Sequence, residues 1–288
     1  MSNGWLILDK PVGITSTHAG SIVKRIFKQK KIGHAGTLDP FASGVLPLAL
    51  GEATKTMPFL MSNLKTYQFT LVFGTQTASG DTEGEVVATS DYRPSLVELQ
   101  QVLPKFIGII NQKPPAYSAI KIKGKPAYAR VRAGESVDIP SRQVEIIKLE
   151  LNSCKENIAT FTVECGTGTY VRTLGQDIAI ALNTVGHLSQ LKRTRVGLFT
   201  IGQAISLENL KKIGDNPNQG ILLPIGSVLD DIPAVSVSQH EAEKIRMGQA
   251  IAVIASDALK ISVWQDEKIV AVGFIKDGLF YPSRVFNI

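Results

Sequence analysis

A chain of 288 residues, 44% hydrophobic and 19% charged, has the composition of an ordinary soluble protein, long enough for one large domain or two unequal ones with a sizeable core. No initial basic-plus-apolar segment resembles a signal peptide and no uncharged apolar run reaches the length of a membrane span, so a cytoplasmic protein is expected. Two cysteines and four scattered histidines make no recognisable metal cluster, and the net charge of +6 points toward an anionic partner.

In chain order, residues 5–8 read as a short apolar strand ended by Asp9-Lys10-Pro11, and residues 18–27 as a helix with Ile22, Val23, Ile26 and Phe27 on one side. Thr15, Ser16 and Thr17 are its candidate caps. A loop around Asp39 leads into residues 45–50, apolar enough for a buried strand. Residues 65–73 alternate Tyr67, Phe69, Leu71 and Phe73 with Thr66, Gln68, Thr70 and Val72, the period of a strand. A turn-rich acidic loop over 74–84 precedes a strand at 86–89 and a helix over about 95–106. Pro114 and Pro115 then stop regular structure, and residues 113–142, basic and containing Tyr117, Tyr128, Gly124 and Gly134, read as a mobile arm leaving the sheet.

Residues 144–151 and 158–165 form a hairpin across Lys155-Glu156-Asn157, which puts Cys154 beside the turn and Cys165 at the far end, too distant to bridge. Gly166-Thr167-Gly168-Thr169 turns the chain into a helix bearing Leu174, Ile178, Ala181 and Leu182. Arg172 falls near its N-terminus, where the helix dipole disfavours a cation, so an anionic partner is expected. After the linker-like Gly214-Asp215-Asn216-Pro217-Asn218-Gln219-Gly220, a second module begins near Asp230, with a helix over 241–247 and strands at 251–254, 261–264 and 269–275. A unit of this size buries little surface alone and should dock against the larger part.

Residues 230–288 hold six basic and eight acidic side chains, so the remainder carries +8. That charge gathers in Lys24-Arg25-Ile26-Phe27-Lys28-Gln29-Lys30-Lys31, in residues 113–132 with six basic and no acidic residues, and in Lys192-Arg193-Thr194-Arg195. One such cluster is ordinarily a solvated face. Three acid-free clusters suit a phosphate backbone, which makes nucleic acid the expected partner.

The stretch Gly33-His34-Ala35-Gly36-Thr37-Leu38-Asp39-Pro40-Phe41-Ala42-Ser43-Gly44 fixes one carboxylate in a tight loop. Three glycines let the backbone turn where side chains would clash, and Pro40 biases Asp39 away from helical angles. An isolated Asp-Pro most often makes only an Asx turn. Here the surrounding residues point to chemistry at Asp39.

Read with Tyr170-Val171-Arg172-Thr173-Leu174, this stretch resembles the bacterial tRNA pseudouridine-55 synthase family. The resemblance extends in the family's order through Leu8-Asp9-Lys10-Pro11, Gly51-Glu52-Ala53-Thr54-Lys55, Tyr67, residues 74–84, Pro114-Pro115-Ala116-Tyr117-Ser118-Ala119 and residues 187–197. It implies an α+β fold, with a catalytic domain over 1–229 built on a mixed, largely antiparallel sheet. It also implies a small β-rich PUA-like domain over 230–288, matched through Gly248, Gly273 and Arg284-Val285-Phe286. The implied activity is conversion of a T-loop uridine of tRNA, at position 55, to pseudouridine. No cofactor, metal, membrane or obligate protein partner is implied.

Such a reaction breaks a glycosidic bond, keeps and rotates the base, and reattaches it through carbon. An ionised carboxylate can add covalently and later leave, the role the resemblance gives to Asp39. Arg172 matches the arginine that pairs with that carboxylate, holding it ionised against burial and orienting it with its fork. The uridine must flip from its stack at a cost of about a few kcal/mol. His34 matches the histidine that fills or props open the vacated space. Tyr67 matches the tyrosine whose ring stacks on the uracil and whose hydroxyl helps remove the proton from the new carbon attachment point. Leu191 matches an apolar residue closing the pocket, and Lys10 a lysine that either meets RNA phosphate or stabilises structure.

Lys121, Lys123, Lys125, Arg130 and Arg132 fall in the RNA-gripping arm, where phosphate contacts position the RNA without reading sequence. Recognition then rests mainly on the shape of the loop. Two other readings stay open: a tRNA-folding chaperone whose pocket is incidental, and a synthase acting on a different RNA. Attack of Asp39 on the sugar and on the uracil ring are equally compatible with these residues.

Overall fold

The computed structural model describes residues 2–61, 63–118, 120–122, 124–213 and 220–288, and of Arg132 the backbone alone. A ten-stranded sheet organises the larger part. Its path runs from edge to edge as Ile205–Ser206, Gly4–Lys10, Ser43–Leu50, Gly186–Val196, Lys65–Phe73, Ile158–Cys165, Arg142–Lys155 and Gly108–Gln112. The short strands Ile32–His34 and Phe199–Thr200 pair beside it. Ser43–Leu50 runs parallel to Gly186–Val196, and Gly4–Lys10 runs parallel to Ile205–Ser206, while the other pairs are antiparallel. The sheet is therefore mixed and largely antiparallel, as the sequence implied.

Alternation decides which face of the sheet is covered. In Lys65–Phe73, Tyr67, Phe69, Leu71 and Phe73 are buried, and register places Phe69 opposite Phe161, their rings stacked at 5.0 Å between centroids. Against this face pack the helices Ser16–Ile26 and Val171–Ala181, contributing Val23 on one side and Leu174 and Ile178 on the other. Each buried Leu or Phe is worth about 1.5–3 kcal/mol. Thr15 caps the first helix, its Oγ1 accepting from the His18 N–H at 3.0 Å. That helix starts at Ser16, two residues before the apolar periodicity suggested.

A separate five-stranded sheet follows in the order Ala234–Ser236, Ala258–Gln265, Lys268–Lys276, Leu279–Val285 and Ile251–Ala252, accompanied by the helix Gln239–Arg246. It has its own core around Ile245, Val263, Ala271 and Phe280. A second cluster, with Trp5, Ile7 and Phe199 from the large sheet and Ile269, Val272 and Phe286 from the small one, docks the two together. Gly226 is required at this seam, because a Cβ there would stand 2.1 Å from the Trp264 ring.

Several elements depart from the sequence reading. The helix expected over 95–106 is Leu96–Val102 followed by a 3₁₀ turn, Leu103–Phe106, because Pro104 cannot donate an α-helical hydrogen bond. Strands Gly108–Gln112, Ala234–Ser236 and Leu279–Val285 were not anticipated. The arm contains a small hairpin, Lys121–Ile122 with Lys125–Pro126, and a helix, Ala127–Arg132, since its glycines interrupt only the turns. Cys154 pairs across the hairpin with Ala159 and Cys165 with Ile146, and both thiols are free. Most of the linker-like segment, residues 214–219, lies outside the described residues. No helix among the described residues is long and apolar enough to cross a membrane.

Candidate active site

The Asp39 loop is pinned at both ends by hydrogen bonds that its sequence makes possible. Ser16, buried at the start of its helix, accepts from the Leu38 N–H at 2.8 Å and donates to the Leu38 carbonyl at 2.9 Å. Gly13 N–H donates to the Pro40 carbonyl at 2.8 Å, and Ala42 N–H to the Asp39 carbonyl at 3.1 Å. Gly36 and Gly44 take φ of +89° and +102°, conformations that favour glycine. At Gly44 a Cβ would meet the Arg193 carbonyl oxygen at 2.1 Å, so the parallel strands Ser43–Leu50 and Gly186–Val196 approach only because this position has no side chain.

Arg172 answers the puzzle of a cation in the first turn of Val171–Ala181. Its Nη2 stands 2.9 Å from Asp39 Oδ2 and its Nη1 3.3 Å from Asp81 Oδ2. The same nitrogens donate to the Ser79 carbonyl at 2.6 Å and to the Tyr117 carbonyl at 2.8 Å. One guanidinium thus ties the Asp39 loop, the acidic loop and the root of the arm to a helix end. The helix end is itself fixed by the buried Gln112, which bonds both the N–H and the carbonyl of Tyr170 at 2.7 and 3.0 Å. Asp39 remains partly exposed, whereas Asp81 and Arg172 are buried.

Asp39 lies in a cleft of about 380 Å³ lined also by Tyr67, Leu191, Arg172, Lys65, Arg142, Tyr170 and Arg193. Of the candidate residues, the structure brings Asp39, Arg172, Tyr67 and Leu191 to one cavity. Tyr67 is buried with its hydroxyl hydrogen-bonded to Arg193, and burial pushes its proton affinity above the ordinary phenol value. Arg193 opposes that rise, while the neighbouring Cys165 and Asp39 add to it. A neutral hydroxyl results, oriented by its neighbour.

The other candidates are placed differently. His34 is half-buried on Ile32–His34 and does not line the cleft. Burial, assisted by Arg193, lowers its proton affinity and favours the neutral imidazole, whose Nδ1 has no hydrogen-bond partner. Lys10 is fully buried, and its ammonium donates to the carbonyls of Pro11 and Ile14 at 2.8 Å and of Pro40 at 3.5 Å. Burial, partly offset by Asp39, lowers its pKa to about 8.

Lys121 and Lys125 are exposed on the arm's hairpin. Arg130 is bonded to the Ile122 carbonyl at 3.2 Å and paired with Glu135 at 2.6 Å. Arg132 belongs to the Ala127–Arg132 helix, and Lys123 lies outside the described residues.

The cluster Lys192-Arg193-Thr194-Arg195 is not the open phosphate-binding face its charge suggested. Arg193 points inward, donating to the Val45 carbonyl at 2.8 Å and the Gly36 carbonyl at 3.0 Å, and Arg195 pairs with Glu164. Strand alternation carried the signal, since Arg193 follows Leu191 by two positions and shares its face. Asp81 was also missed, though it sits in the acidic loop that the sequence reading singled out. Among the described residues, no group of three or more His, Cys, Asp or Glu side chains converges on a possible metal position.

Comparison with known proteins identifies relatives of the chain along nearly its whole length. Residues 24–171 match the family model described as TruB family pseudouridylate synthase (N terminal domain), and residues 172–230 match that of the tRNA pseudouridylate synthase B C-terminal domain. The tRNA pseudouridine synthase B of Bradyrhizobium diazoefficiens is 45% identical, covering 99% of this chain and 86% of the relative. That of Caulobacter vibrioides is 44% identical, covering 99% and 96%. Among solved structures, an H/ACA RNP bound to a substrate RNA containing 2′-deoxyuridine superposes with a TM-score of 0.75 at 22% identity, covering 99% of this chain and 85% of that one. A Cbf5-Nop10-Gar1 complex matches with the same TM-score at 24% identity, covering the same shares. These last two are likenesses of fold.

Proposed function

The chain belongs to the TruB pseudouridylate synthase family and isomerises uridine to pseudouridine in tRNA, and we propose that its target is the T-loop uridine at position 55, flipped into the Asp39 cleft. Asp39 is the nucleophile in this reading. The observation that carries it is the ion pair of the Asp39 carboxylate with the buried Arg172, whose other side is anchored on Asp81. A carboxylate so placed is aimed, because the fork of the guanidinium restricts its rotation.

Each neighbour has a task consistent with its position. The Tyr67 ring forms an apolar wall of the cleft against which a flipped uracil stacks, and its neutral hydroxyl relays the proton from the new carbon linkage, passing its own proton to water as it receives that one. Leu191, on the neighbouring strand, adds an apolar closure to the cleft. His34, neutral and half-buried on Ile32–His34, fills the space that the flipped nucleotide vacates in the RNA. Lys121 and Lys125, exposed on the arm's hairpin, contact phosphates of the T-arm. The small second sheet over residues 230–288 serves as a PUA-like auxiliary RNA-binding domain.

The test uses full-length protein without added cofactor and tRNA tritiated at uridine carbon 5. Wild type is expected to release the label to water, and Asp39→Asn to release at least about 10⁴-fold less while binding tRNA with unchanged affinity. Tight binding by wild type without release would favour the chaperone reading. Release from an RNA lacking the T-loop uridine would favour another substrate.

A further inference from the structure

The floor of the cleft carries more positive charge than its carboxylates balance. Lys65, Arg172 and Arg193 are buried side chains that line it, and Arg172 engages the carboxylates of Asp39 and Asp81. Arg193 is 1% exposed and forms no ion pair among the described residues. Among the described residues, its guanidinium is met by neutral acceptors, the Val45 and Gly36 carbonyls and the Tyr67 hydroxyl. Lys65 is likewise buried, and among the described residues its partners are neutral: it donates to the Asn63 carbonyl at 2.7 Å and to the Met61 carbonyl and Thr167 Oγ1 at 3.2 Å. Both side chains line the cleft beside Asp39 and Tyr67.

Burying a charge without a counter-ion is costly, and a neutral side chain of similar shape would serve the architecture with less penalty. The charge is felt locally: burial lowers the proton affinity of Lys65 and of His34, and Arg193 lowers each further. A cavity lined by buried cations that lack a counter-ion is preorganised for an anion that exists only during the reaction.

We propose that Arg193 and Lys65 form a fixed positive floor that stabilises the negative charge on the uracil base while it is detached from ribose. The inference rests on the reading of Asp39 as nucleophile in this cleft and takes the sugar carbon C1′ as the atom it attacks. As the C1′–N1 bond breaks, its electron pair stays on N1, and the base becomes a monoanion with charge shared among N1, O2, O4 and C5. An Asp39 carboxylate oxygen bonds to C1′ in the same interval. Carbon 5 then attacks C1′, the Asp39 carboxylate departs with its electron pair, the proton on carbon 5 is relayed through the Tyr67 hydroxyl to water, and N1 takes a proton from water. No oxidant or reductant enters. The two cations do not bond to the sugar. They act on the base by their field, and Arg193 also positions Tyr67.

The decisive variant is Lys65→Gln, with Lys65→Arg as its charge-keeping control, each assayed in single turnover on tRNA bearing either uridine or 5-fluorouridine at the target. The fluorine withdraws electrons and makes the detached base a better anion in its own right. Disappearance of the N-linked nucleoside is followed after nuclease digestion. Lys65→Gln is expected to slow uridine by about 100-fold, the loss typical of one preorganised electrostatic group, and to slow 5-fluorouridine several-fold less. Lys65→Arg is expected to stay within a few-fold of wild type on both.

Equal slowing on both substrates would show a merely structural role and overturn the proposal, as would no slowing on uridine. Should Lys65→Gln not fold, Arg193→Gln is read by the same ratio. If wild type converts uridine and Asp39→Asn does not, the underlying reading stands whichever way the ratio falls. Conversion by Asp39→Asn at the wild-type rate would remove that reading and this inference with it.

Discussion

Arg172 Nη2 lies 2.9 Å from the partly exposed Asp39 carboxylate, and the rest of the same side chain is sealed in the interior against Asp81. One end of the guanidinium faces the cleft and the other is locked by a buried charge. Arg172 is therefore oriented before any RNA arrives, and its orientation is transmitted to Asp39.

If Asp81 supplies that lock, Asp81→Asn should lower the single-turnover rate by about 10-fold with little change in tRNA affinity, because the nucleophile is present but less well aimed. Arg172→Met should be destabilising by about 3–5 kcal/mol, since it strands a buried carboxylate. The double variant Arg172→Met/Asp81→Asn should then be more stable than Arg172→Met alone. Urea midpoints of the three proteins give the comparison, and additive losses would argue against coupling through this pair.

The exposed arm lysines predict a salt signature. Replacing Lys121 and Lys125 together by Gln should weaken tRNA binding by about 10-fold at moderate salt and reduce the slope of log affinity against log salt by about 2. The rate at saturating tRNA should not change. Arg130→Gln should move the slope less, because Arg130 is already paired with Glu135. A filter-binding series across salt concentrations measures both.

Two glycines with positive φ should respond in opposite degree to alanine. Gly44 has φ of +102° and the Arg193 carbonyl in the way of a Cβ, so Gly44→Ala should cost about 4 kcal/mol or more by separating the central parallel strands. Gly13 has φ of +90° but nothing within 4 Å of the added atom, so Gly13→Ala should cost only about 1 kcal/mol. Denaturant titration distinguishes them.

Asp177, on the Val171–Ala181 helix, has its pKa raised by burial from 3.8 to about 6. The folded protein therefore holds a proton between about pH 4 and 6 that the unfolded chain has released. This group's contribution is fully present below its unfolded pKa and is lost as pH rises through about 6, leaving a buried anion at neutral pH. Asp177→Asn should raise stability by about 1–2 kcal/mol at pH 7.5, an amount discounted for partial exposure, and the advantage should shrink toward pH 4.5. Urea midpoints at the two pH values check the sign.

The sequence alone determined the elements whose signal is local. Alternation over residues 65–73 gives a strand because side chains of a strand point to opposite faces in turn, and Tyr67 comes out on the buried one. The threonine ahead of the first helix and the glycines around Asp39 mark a cap and a loop because their side chains, or lack of them, act within a few residues. The anionic partner of Arg172 was legible as a need, since a cation in a helix's first turn is unfavourable unless answered.

Tertiary structure decided what depends on residues far apart in the chain. That Asp81 shares Arg172 with Asp39, that Lys10 spends its ammonium on three backbone carbonyls, and that Arg193 turns inward from a basic run all follow from long-range strand register. Local patterns predict burial for apolar side chains, whose reason to be inside is the same everywhere. A charged side chain goes inside only where the fold supplies acceptors or counter-charges, and those are set by which strands pair and in what register.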